Sequence, residues 1–118
     1  MNDLKKELDI IVKTMEDKKA QDIRVLKVDE ATSLTEYFVI CNGTSSTQIK
    51  TLADETEHKL RDILPILHRE GYSSGNWVLL DYGAIIVHIF HKDTRDFYEL
   101  EKLWEKNAIK TIPVEEEN

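Results

Sequence analysis

Cysteine is almost missing: Cys41 is the single one in 118 residues. That excludes an internal disulfide framework and suits a reducing cytosol. No apolar run approaches the ~20 residues that span a bilayer, so no membrane partner is expected. Basic side chains are in deficit, 16 against 23 acidic, giving a formal charge of -7 and a pI near 5.1. Such a surface repels phosphate backbones, and no basic run offers a local exception, so no direct nucleic-acid specificity is expected. Repeats, low-complexity tracts and Pro/Gly/Ser linkers are absent as well, and the length suits one core. The opening MNDLKKELDI carries acids and no arginine, unlike a secretory signal or a transit peptide. The expectation is a cytoplasmic, acidic, single-domain protein.

What is present is a 41% hydrophobic share, enough for a modest core. Leu4, Leu8, Ile11, Val12 and Met15 recur at helical spacing, opposite Lys5, Lys6, Asp9, Lys13 and Glu16, which predicts an amphipathic helix capped by Asn2 or Asp3. Residues 22–28 alternate as a strand, and 29–35 read as a loop. The unbroken YFVIC at 37–41 predicts a central strand covered on both faces, broken by Asn42-Gly43. Thr44, Ser45 and Ser46 offer cap hydroxyls to a long helix whose stripe is Ile49, Leu52, Thr56, Leu60, Ile63 and Leu67. Pro65 is expected to kink or end it, with Gly71 closing it. Residues 77–81 and 84–91 form a hairpin across Tyr82-Gly83. Asp93 or Thr94 then caps a helix with the stripe Phe97, Leu100 and Trp104, and Ile109 to Ile112 can add an edge strand. The expected fold is α/β (α+β): one domain, residues 1–113, with a mixed sheet flanked by helices in the order α-β-β-α-β-β-α(-β), then an acidic tail at 114–118. A domain of this length has a radius of gyration of about 13–14 Å.

The chemistry-bearing residues are sparse. His88 and His91, three apart on a strand, point to opposite faces and cannot share an ion, while His58 and His68 are nearly three helical turns apart. No pair has zinc-ligand spacing, so no metal is expected. Cys41 ends a buried strand, where a small apolar thiol is commonplace, and no serine sits in a GxSxG elbow. The turn at Gly43 to Ser46 feeds a helix N-terminus, a place suited to phosphate, yet capping alone explains its residue types. Of paired carboxylates for a two-metal phosphoryl site the next strand supplies Asp81 alone, so no catalytic or cofactor-binding residue is assigned. What remains is surface. Trp77, Leu79 and Asp81 share one strand face, with Tyr82 at the turn, and Tyr98, Glu101 and Glu105 line one helix. Aromatic anchors beside carboxylates suit a basic protein; the alternative is that Trp77 is core and the acids an ordinary solvated face.

The stretch EGYSSGNWVLLDYGAIIVHIFHKDTRDFYELEKLW (70–104), with KKAQDIRVLKV and YFVICNGTSSTQIKTLADE upstream, closely resembles the ribosomal silencing factor (Iojap-like) family from about Leu4 to Trp104. The resemblance implies a nucleotidyltransferase-like fold without catalysis. It also implies docking on ribosomal protein fourteen of the large ribosomal subunit, where the family obstructs joining of the small subunit when nutrients are scarce. A homodimer when free is implied too, and the opening without transit-peptide character favours a bacterial cytoplasmic over an organellar version. On this reading the partner-binding residues are Trp77, Asp81, Tyr82, Tyr98 and Glu101; the alternative function is a nucleotidyltransferase-like nucleotide-binding enzyme.

Overall fold

The computed structural model describes residues 4–28, 34–94 and 110–111. The chain order is α1 (Lys5–Asp17), β1 (Gln21–Lys27), β2 (Tyr37–Gly43), α2 (Ser46–Leu60), β3 (His68–Glu70), β4 (Trp77–Asp81), β5 (Ile85–His91) and β6 (Lys110–Thr111). The strands form one mixed sheet in the order β3-β4-β5-β2-β1-β6. Only the β2–β5 contact within it is parallel; the other neighbours run antiparallel. The radius of gyration is 13.2 Å.

The two faces of the sheet follow from strand alternation. Val25, Val39, Cys41, Val78, Leu80, Val87 and Ile89 turn to one side, where α1 brings Leu8, Ile11 and Met15 and α2 brings Ile49, Leu52 and Leu60. On the opposite side Leu26, Val28, Phe38, Ile40 and Phe90 form a second cluster, with Trp77 and Ile86 packed against it. β2 is therefore buried on both faces, as its uninterrupted apolar run predicts. The expected stripe of α1 is buried residue for residue. Leu4 stands in its cap position without a side-chain acceptor, while Asn2 and Asp3 lie outside the described residues.

Several boundaries differ from expectation. Asn42 and Gly43 continue β2 instead of breaking it, because parallel pairing with Phe90 and His91 extends that far. α2 stops at Leu60, ahead of Pro65 and Gly71. The N–H groups of Ile63 and Leu64 both donate to the Leu60 carbonyl, and Pro65 then disfavours helical geometry at Leu64 and supplies no N–H. Ile63 and Leu67, assigned to a buried stripe, are consequently 39% and 66% exposed. The strand β3, which pairs Arg69 with Leu80, has no counterpart in the expected order. Residues 92–94 are helical, so this segment starts before the Asp93 and Thr94 proposed as caps. The stripe Phe97, Leu100 and Trp104 and the tail 114–118 lie outside the described residues.

Candidate functional site

The β4–β5 hairpin carries the most informative side chains. Gly83 adopts a φ of +88°, a left-handed conformation that glycine accepts without cost. The Tyr82 N–H donates to the Ile85 carbonyl at 2.9 Å. The Gly83 N–H donates to Asp81 Oδ1 at 2.8 Å, so this carboxylate also fastens the turn. Asp81 is half-buried.

Trp77, at the other end of β4, is half-buried and turned to the same face as Asp81. Register places it opposite Phe90, on which its indole stacks with centroids 4.8 Å apart and planes 29° apart. His88, the same-face neighbour two positions back on β5, receives the indole Nε1–H on its Nδ1 at 3.1 Å. His88 itself is buried, with its ring set edge-on to Phe38 at 4.8 Å. Burial lowers its pKa from 6.5 to about 4, because a charged imidazolium is poorly solvated there. His91 lies on the opposite face from His88, as alternation requires, with its Nδ1 3.8 Å from Asp93 Oδ2.

Tyr82 does not join Trp77 and Asp81. It belongs to the helix-side core, and its hydroxyl is buried with no hydrogen-bond partner among the described residues. Burial, reinforced by the nearby Glu57 carboxylate, pushes the phenol upward and keeps it protonated. A cleft of about 240 Å³ opens beside it, walled by Asp54, Glu57, His58, Arg61, Leu64 and Ile66. The carboxylates of that cleft are engaged: Glu57 pairs with Arg69 at 2.9 Å, and Asp54 accepts the Tyr72 hydroxyl at 2.9 Å. That hydrogen bond to Asp54 raises the Tyr72 pKa. Tyr98 and Glu101 lie outside the described residues.

The Gly43–Ser46 turn is a helix cap. Ser45 Oγ accepts the Gln48 N–H at 3.1 Å, and the Gln48 side chain accepts the Thr44 N–H at 2.7 Å. The same Gln48 amide donates to the carbonyls of Lys18 and Lys19. Gly75 leans on this helix start so closely that an added Cβ would lie 2.6 Å from Ser46 Cβ. Cys41 is wholly buried among apolar neighbours. Among the described residues no group of three His, Cys, Asp or Glu side chains could hold a metal ion, and no helix is long and apolar enough to cross a membrane.

Two features escaped the sequence. The role of His88 depends on register, and only its position in an otherwise apolar row (Ile86, Phe90) hinted at it. The exposed apolar segment Ile63, Ile66 and Leu67 was signalled by Pro65 but read as helix.

A family model described as "Ribosomal silencing factor during starvation" matches residues 1–118. A ribosomal silencing factor of Halalkalibacterium halodurans is 38% identical over 98 residues, spanning 82% of this chain and 84% of that one. The Bacillus subtilis counterpart is also 38% identical over 98 residues, with 82% and 83% covered. A crystal structure of a Chromobacterium violaceum protein has a TM-score of 0.84 at 33% identity, covering 88% of each chain.

Proposed function

The chain belongs to the ribosomal silencing factor family, and on that premise we propose that it is a translational repressor acting by steric block. It binds the large ribosomal subunit at ribosomal protein fourteen, obstructs joining of the small subunit, and damps translation when nutrients are limiting. The setting is the cytoplasm, and the free protein pairs with a second copy of itself. No turnover is required of it: at the Gly43–Ser46 turn the Thr44 and Gln48 N–H groups are already bonded within the helix cap.

The observation that carries the surface assignment is the β4 face, where a half-buried tryptophan is held by a stacking partner and a hydrogen bond, with Asp81 on the same face. A preset aromatic anchor supplies desolvated contact area, while carboxylates on a chain of charge -7 steer it to a basic protein and away from surrounding RNA. A body of 36 × 33 × 28 Å seated at a subunit interface would hold the two subunits apart. Trp77, Asp81, Tyr98 and Glu101 are the proposed contacts. Tyr82, turned to the other face, contributes by shaping the hairpin.

Co-sedimentation with purified large and small ribosomal subunits, run separately at physiological salt, tests this. Pelleting with the large subunit alone is expected. The double variant Tyr98→Ala, Glu101→Lys should lose that association with its melting temperature nearly unchanged. Pelleting with neither subunit overturns the proposal.

A further inference from the structure

We infer that His88 is a positioning residue of the docking surface: by accepting the indole N–H it holds Trp77 in one orientation and thereby sets the affinity for a basic protein partner. This rests on the reading of Trp77 as a docking anchor.

The ring of His88 is an odd choice for its place. It is buried in a row whose neighbours on the same face of β5 are Ile86 and Phe90. Its Nδ1 accepts from the indole, so in the neutral ring the proton resides on Nε2. That Nε2 is buried and has no partner among the described residues. A sealed N–H without an acceptor is a net cost that an apolar ring of the same shape would not incur. The other nitrogen offers the compensation, because no hydrocarbon side chain can accept a hydrogen bond. Two contacts fix the acceptor: His88 is set edge-on to Phe38 at 4.8 Å and lies nearly parallel to Phe90, at 10° and 6.1 Å. Phe90 in turn supports the indole face. The stacking surface and the directional bond both act on Trp77. An anchor already locked in its bound rotamer loses less freedom on association.

The experiment pairs binding to purified bacterial large ribosomal subunits with the indole N–H signals in ¹H–¹⁵N spectra of the full chain, Trp77 being assigned with Trp77→Phe. His88→Phe keeps a ring and removes the acceptor. It should move the Trp77 indole signal toward that of a solvated indole and weaken subunit binding roughly five- to tenfold, the worth of one hydrogen bond. His88→Asn, whose Oδ1 falls near the place of Nδ1, should restore part of both. If His88→Phe does not fold, His88→Gln serves instead, because its amide displaces the acceptor; the same signal shift and weakening are expected. Wild-type affinity in a folded acceptor-free or acceptor-displaced variant, with Trp77→Ala binding poorly, overturns the role of His88 and leaves the docking surface standing. Normal binding by Trp77→Ala overturns the docking surface itself, and this inference with it.

Discussion

Acid should destabilise this protein through His88. The pKa of His88 falls from 6.5 to about 4 on burial. Between those values the unfolded chain binds a proton there that the folded chain refuses, so stability rises with pH across that window. The contribution is complete above about pH 6.5 and is lost as the pH drops toward 4. At pH 5 the loss is about 2 kcal/mol, from a slope near 1.36 kcal/mol per unit over the 1.5 units below 6.5. Protonation would also remove the acceptor of the Trp77 indole N–H. The assay is urea unfolding at pH 7 and pH 5, for the wild type and for His88→Phe. Because the other titrating groups are common to both chains, the difference between them isolates this site. The wild type should lose about 2 kcal/mol more than the variant on acidification. Equal losses would refute the reasoning, and would mean that the imidazole is solvated or partnered in the folded state.

Other perturbations have equally definite signs. Tyr82→Phe deletes a buried hydroxyl with no partner among the described residues and should stabilise the fold by about 1 kcal/mol, read as a higher urea midpoint; a lower midpoint would reveal a bond to that oxygen. Ser45→Ala removes the acceptor for the Gln48 N–H at the start of α2 and should cost about 1 kcal/mol by the same measurement. Gly71→Ala faces both a φ of +81° and a Cβ placed 2.0 Å from the Trp77 carbonyl oxygen, so a loss of at least about 2 kcal/mol is expected in thermal unfolding.

Residues that decide their own surroundings were legible in the sequence. The α1 stripe, the doubly buried β2 and the glycine of the β4–β5 turn each follow from local periodicity or local geometry. β3 was not legible, because His68, Arg69 and Glu70 are all exposed at a sheet edge and show no alternation to read. The end of α2 was misjudged for a related reason: Ile63 and Leu67 keep helical spacing after the helix has stopped, and spacing alone does not report burial. The site is harder still. That Trp77 meets His88 depends on pairing Trp77 with Phe90, a register set by the turn and not by either residue. Tyr82, expected at the turn as a contact residue, is swung by that turn to the helix side.

The parallel contact of β2 with β5 has a consequence for the order of assembly. It joins strands about fifty residues apart, Tyr37 to Ile85 through Gly43 to His91. Closing so long a loop is entropically costly and must precede any gain from the contact, so the centre of the sheet should form late. During synthesis the β1–β2 ladder, α1 and α2 emerge first, while the inner edge of β2 waits for β5. A chain halted before Ile85 is therefore not a smaller edition of the fold. It is an apolar strand with an open edge, the kind of species that sticks to its own copies before it can finish folding.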